Sequence, residues 1–97
     1  MKYEQFIDSL TAAAPPEDLS VYLKALWYDA KNDWNKSHEI AQDLTDKNGS
    51  WIHAYLHRKE GDLSNAGYWY RKAGKQMPSY SLDKEAQEMI KDLIDAR

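Results

Sequence analysis

Apolar residues recur along this chain at intervals of three and four, the spacing that brings side chains to one face of an α-helix. No segment shows the two-residue alternation of β-branched side chains that is typical of strands. The pattern therefore predicts an all-α protein of about six short helices. The expected helices cover residues 2–13, 17–31, 33–46, 51–60, 62–74 and 82–96.

Turn-forming residues separate these helices. Pro15 and Pro16 are expected to end the first, because proline lacks an amide hydrogen and restricts the residue before it. Asp33 is a suitable N-cap for the third helix. Residues 46–50 have the composition of a loop, after which Ser50 is expected to cap the fourth helix. Such short connections favour antiparallel helical hairpins.

The two middle hairpins that this pattern predicts are alike. Asp33-Trp34 in the first corresponds to Asp62-Leu63 in the second, 29 residues later. In each, an aspartate at the turn is followed by a large apolar residue. A recurrence of this kind is typical of stacked helical repeats, in which each unit buries its apolar face against the next.

The second hairpin resembles a tetratricopeptide repeat. Ala54 stands where the family has a small residue that lets two helices approach, and Gly61 with Asp62 matches the turn. Ser37, in the first hairpin, stands where alanine is usual, and the 29-residue spacing departs from the family's roughly 34. The remaining matches, on the second helix and at the closing proline, are Ala66, Tyr70, Ala73 and Pro78.

The resemblance implies a right-handed stack of hairpins within one domain. Two repeats are fewer than an array normally needs, so we expect the terminal helices, or a second copy in a homodimer, to cover the exposed faces. Residues 51–62 and 68–74 also resemble a group of small bacterial proteins of unknown activity, which implies a bacterial origin. The expected parts of the domain, 1–97, are an N-terminal cap helix 1–14, a degenerate hairpin 17–46, a tetratricopeptide-like hairpin 50–76 and a C-terminal cap helix 81–97.

Composition narrows the classes of function. The chain has no cysteine, which excludes disulfides and thiolate metal sites. No apolar run approaches the roughly 20 residues that span a membrane, and the N-terminus does not have the pattern of a signal peptide. We therefore expect a cytoplasmic protein. The net charge of −3 and a mildly basic middle segment do not favour nucleic acid as a partner.

One predicted helix face carries residues that are typical of recognition. Trp51, Tyr55 and Arg58 share it, and in tetratricopeptide proteins the matching face lines a groove that binds extended peptides. Aromatic side chains and arginine are enriched in binding hot spots. The alternative is that both aromatics are core and that Arg58 pairs with a nearby acid. The expected partner-binding residues are Trp51, Tyr55, Arg58, Lys59, Tyr22, Asp29 and Trp69.

His53, His57 and Glu60 form a secondary candidate for a metal site. They lie at positions i, i+4 and i+7 of the fourth helix, and imidazole and carboxylate groups are common metal ligands. The alternative is that both histidines are half-buried and hydrogen-bonded at a helix interface. The glutamate of an H-E-x-x-H motif is missing, so the pattern alone does not specify a metal.

No motif predicts catalysis. Ser37, His38 and Glu39 have the residue types of a hydrolase triad, but consecutive helical side chains point about 100° apart. No nucleophile elbow or phosphate-binding glycine loop occurs. We therefore expect no catalytic residue and no cofactor, and the leading hypothesis is a protein or peptide interaction module rather than an enzyme. The alternatives are a small metal-binding protein or enzyme centred on the two histidines of the fourth helix, and a structural homodimer.

Overall fold

The computed structural model describes residues 1–94, and this part of the chain contains six α-helices and no strand. The prediction of an all-α fold is therefore confirmed. None of the helices described is both long enough and apolar enough to cross a bilayer. The last helix ends at Leu93 with Ile94 as its C-cap, and the expected extension through residues 95–96 lies outside the described residues. The helices are α1 Tyr3–Ser9, α2 Val21–Ala30, α3 Trp34–Ala41, α4 Lys47–Glu60, α5 Leu63–Ala73 and α6 Leu82–Leu93.

Side-chain caps set the starts of several helices. Asp33, Asp62 and Ser81 each accept a hydrogen bond from a backbone amide in the first turn of α3, α5 and α6, and the prediction that Asp33 caps α3 is confirmed. The second helix begins later than expected, at Val21, because the hydroxyl of Ser20 caps it. The first helix is shorter than expected and ends at residue 9, several residues before the two prolines.

The segment expected to be a loop at residues 46–50 is instead the cap and first turn of α4. Asp46 is the N-cap, and its Oδ1 accepts a hydrogen bond from the Gly49 amide at 2.9 Å. The prediction that Ser50 caps this helix is wrong, since Ser50 lies within it and is buried. Gly49 permits the close packing here, because a Cβ at this position would lie 2.2 Å from Leu44 Cβ.

The central helices are α2 and α4. Every residue of α4 from Gly49 to His57 is buried, and the helix contacts α2, α3, α5 and α6. It ends at Gly61, whose φ of +88° is left-handed, the conformation that glycine adopts most readily. The predicted break between the fourth and fifth helices is therefore confirmed. The large side chains with the least exposure are Trp27, Tyr70, Phe6, Leu26, Ile52, Leu56 and Met89.

Candidate functional site

The helix face that the sequence assigns to a partner lies under α6. Trp51 and Tyr55 are only 6% and 2% exposed. The Trp51 indole Nε1 donates to Glu85 Oε2 at 3.1 Å, and Arg58 Nη1 donates to Glu85 Oε1 at 2.8 Å. Arg58 also donates to the backbone carbonyl of Tyr80. The polar groups of Trp51 and Arg58 therefore bind α6 and the segment before it.

Glu85 is the buried residue through which α6 is hydrogen-bonded to α4 and α5. The residue has no exposed surface, and both of its carboxylate oxygens lie within 2.8 Å of the Tyr70 hydroxyl, which donates its one hydrogen to this carboxylate. Burial, followed by the interaction with Glu85, raises the pKa of Tyr70 well above its ordinary value. A buried carboxylate needs hydrogen-bond donors and an opposite charge, and the Arg58 guanidinium supplies that charge. This ion pair is the alternative that the sequence left open for Arg58.

Asp29 is the second buried acid that binds this face. Its Oδ2 accepts a hydrogen bond from the Tyr55 hydroxyl at 3.0 Å, and its Oδ1 lies 2.8 Å from Lys59 Nζ. Burial, with Asp29 as the next cause, raises the pKa of Tyr55 well above its ordinary value. Tyr22 donates its hydroxyl hydrogen to Asp46 instead. The polar groups of all these residues are thus engaged within the chain.

Three histidines meet between α3 and α4, and we call them the histidine cluster: His38, His53 and His57. Each offers a ring nitrogen within 4.8 Å of the others, and His38 Nε2 lies 3.0 Å from His53 Nε2. The His57 ring centroid is 4.8 Å from that of His53 and 5.3 Å from that of His38. These are all the histidines in the chain. The sequence paired His53 with His57 but missed His38, which lies on a different helix.

Glu60 lies behind His57 rather than within the cluster. Its Oε1 is 2.7 Å from His57 Nδ1, so that nitrogen carries a hydrogen and donates it, and Nε2 is the nitrogen left to bind a metal. Carboxylates that orient metal-binding histidines take this position. Asn65 Nδ2 is 3.4 Å from the same Nε2. His57, Glu60 and Asp62 form a second group of possible ligands, but Asp62 already caps α5.

Two indoles hold the rings of the histidine cluster in place. Trp34 stacks on His38 with centroids 4.8 Å apart and planes 11° from parallel. Its Nε1 donates to the Leu56 carbonyl of α4 at 2.8 Å, which fixes the indole. Trp69 of α5 stacks on His53 at 4.1 Å and 26°. Trp69 therefore contacts this cluster, and the neighbouring Tyr68 is 47% exposed.

Burial keeps two of the three imidazoles neutral. It lowers the pKa of His53 to about 4, with His38 and His57 lowering it further. Burial is also the main cause that lowers the pKa of His38. The Nδ1 atom of His53 is buried and has no hydrogen-bond partner among the described residues. An imidazole must be neutral to bind a metal, so these rings already have the required protonation state at pH 7.

Comparison of the chain with protein-family models, curated proteins and solved structures finds no match. Three imidazole ligands suit zinc, copper or nickel, whereas magnesium and calcium favour oxygen ligands. A site with three protein ligands also leaves one tetrahedral position for water or another molecule.

Proposed function

We propose that the protein binds a transition-metal ion of the zinc class through the histidine cluster. The observation that carries this proposal is the convergence of all three histidines, from two helices, within 4.8 Å. A tetrahedral zinc ion with nitrogen ligands at about 2.0–2.1 Å holds those nitrogens roughly 3.3 Å apart. The 3.0 Å between His38 Nε2 and His53 Nε2 is close to that separation.

The surroundings of the cluster support a metal site over a simple imidazole hydrogen bond. A hydrogen bond between His38 and His53 accounts for one contact, but it gives no role to the Glu60 carboxylate behind His57.

The packing also supports a tetratricopeptide-like arrangement, which we propose on the basis of the sequence resemblance. Ala54 and Ala66 have no exposed surface, and small residues at such positions let α4 and α5 approach closely. In such a stack the pair α2–α3 would meet the pair α4–α5 through α3 and α4, which are in contact. The histidine cluster would then lie at the junction between two repeats.

A peptide-binding role for Trp51, Tyr55 and Arg58 is less well supported. Trp51 and Arg58 bind Glu85 of α6, and Tyr55 binds Asp29. A partner that used Trp51 or Arg58 would have to displace their bonds to Glu85. The three histidine nitrogens already lie within 4.8 Å of one another, so metal binding is the function that the geometry supports best.

Calorimetric titration of metal-free protein, purified without a histidine tag, tests the proposal. We expect one Zn²⁺ per chain at micromolar concentration or below, with Cu²⁺ and Ni²⁺ as comparison ions. His38→Gln and His57→Gln should each weaken Zn²⁺ binding by more than the roughly 10–100-fold typical of an outer-shell change. Glu39→Gln, an exposed change on α3, is the matched control and should bind normally. Failure of all three ions to bind the wild-type chain at micromolar concentration would refute the proposal.

A further inference from the structure

We infer that an ion in the histidine cluster staples α3 to α4, so that metal occupancy decides how firmly α3 is held; this rests on the proposed metal binding. His38 is the one ligand from α3, whereas His53 and His57 both come from α4. An ion bound by all three therefore links the two helices directly.

Helix α3 has little apolar anchorage of its own. Its fully buried residues are Ser37 and Ala41, and neither has a large apolar side chain. The Ser37 hydroxyl donates to the Ala25 carbonyl of α2 at 2.6 Å, so this bond holds α3 to α2. Trp34 and Ile40 are only partly buried. A helix with so few buried apolar groups is expected to open locally at low free energy.

The polar and aromatic contacts between α3 and α4 in the described residues come from two side chains of α3. Trp34 donates to the Leu56 carbonyl and places its ring edge-on to His57, with centroids 6.2 Å apart. His38 contacts His53 and His57. The contacts among the three histidines therefore make up most of this set. A metal ion that strengthens them also strengthens the packing of α3 on α4.

Helix α4 is the fixed side of the junction. Residues 49–57 are all buried, and α4 contacts four other helices, so it has little freedom to move. Ligand binding stabilises the states that bind it by mass action and leaves states that cannot bind unchanged. A state in which α3 has opened loses His38 from the cluster and binds the ion less tightly. Zn²⁺ should therefore suppress that opening more than it suppresses motions elsewhere.

Amide hydrogen exchange with and without Zn²⁺ measures this effect helix by helix. At Zn²⁺ concentrations about 100 times the dissociation constant, exchange of the α3 amides at residues 37–41 should slow by up to about 100-fold. The amides at residues 86–90 of α6 are the internal control and should slow less. His38→Gln should abolish the difference between the two helices. If circular dichroism shows that this variant is unfolded, His38→Asn provides the same comparison.

The results separate this inference from the proposed function. If Zn²⁺ binds at one per chain but slows exchange in α3 no more than in α6, the staple is refuted and metal binding stands. If Zn²⁺ does not bind the wild-type chain, the metal site and the staple fail together. Selective slowing in α3 that is lost in His38→Gln supports both.

Discussion

His38 Nε2 and His53 Nε2 lie 3.0 Å apart, although the two residues are separated by 15 positions and belong to different helices. The contact exists because α3 rests on α4 through Trp34, which stacks on His38 and donates to the Leu56 carbonyl. His57 completes the group one helical turn after His53. The Trp34 indole thus helps to place His38 beside the two histidines of α4.

Glu60 should control the strength of metal binding without touching the ion. Replacing it with alanine removes the acceptor 2.7 Å from His57 Nδ1, so the ring loses its fixed tautomer and orientation. We expect Zn²⁺ affinity to fall by about 10–100-fold, the range typical of such outer-shell partners. Glu60→Gln keeps an acceptor oxygen and should lose less. Competition against a chelator of known affinity measures both variants.

An unchanged affinity in Glu60→Ala would show that this carboxylate does not orient His57. Glu39→Gln is again the control, because it also removes one negative charge, from an exposed residue on the neighbouring helix. A loss in both variants would indicate a general electrostatic effect, which added salt would screen.

The sequence predicts most helix ends because their causes are local. Asp33, Asp62 and Ser81 cap helices by accepting hydrogen bonds from amides three residues later. Gly61 ends α4 because its φ of +88° is left-handed. The loop prediction for residues 46–50 is wrong because their composition is typical of a loop as well as of a helix start. Packing of Gly49 against Leu44, a contact that composition does not specify, extends the helix through them.

The candidate site could be predicted only in part, because its contacts join distant positions. His53 and His57 share a helix face and were found by their spacing, but nothing local connects them to His38. One signal was available: Trp34 and His38 are also four residues apart, so both lie on one face of α3. Similarly, Arg58 suits a binding hot spot and an internal ion pair equally well. Glu85, 27 residues later, decides between them.

Removing the carboxylate of Glu85 should be strongly destabilising. Glu85→Ala leaves the largely buried Arg58 guanidinium without its counter-charge and removes the acceptor of Trp51 and Tyr70. Breaking one side of a buried ion pair typically costs about 3–5 kcal/mol in free energy of unfolding. Urea denaturation followed by circular dichroism measures the cost. Asp92→Asn, an exposed change on the same helix, should cost little, and an equal loss in both variants would contradict this role for Glu85.

Two glycines inside helices should respond in opposite ways to alanine. At Gly49 an added Cβ would lie 2.2 Å from Leu44 Cβ and 2.9 Å from Leu44 O, so the helix start must shift. We expect Gly49→Ala to lower the free energy of unfolding by about 1–3 kcal/mol. At Gly67 the nearest atom is Arg71 Nη1 at 3.5 Å, an ordinary contact at the end of a flexible side chain.

Gly67→Ala should therefore raise the free energy of unfolding by about 0.5–1 kcal/mol, because alanine loses less backbone entropy in a helix. Thermal unfolding of both variants beside the wild type gives the comparison. A destabilised Gly67→Ala protein would mean that α5 is packed more closely there than the structure indicates.

Tyr55 and Tyr70 should remain protonated in the folded protein well above pH 10. Burial raises the pKa of each phenol, and the neighbouring carboxylates of Asp29 and Glu85 raise it further. In the unfolded chain these phenols ionise near pH 10. Between that value and the higher pKa of the folded state, the unfolded chain has released protons that the folded chain retains, so stability falls as pH rises.

Absorbance at the phenolate band should therefore show these two tyrosines ionising together with the loss of helix. In Tyr55→Phe the alkaline unfolding midpoint should move to higher pH, unless loss of the bond to Asp29 lowers stability at every pH equally. Unfolding at pH 7 measures that second effect separately. Ionisation of all seven tyrosines while the helices remain intact would contradict the burial of both phenols.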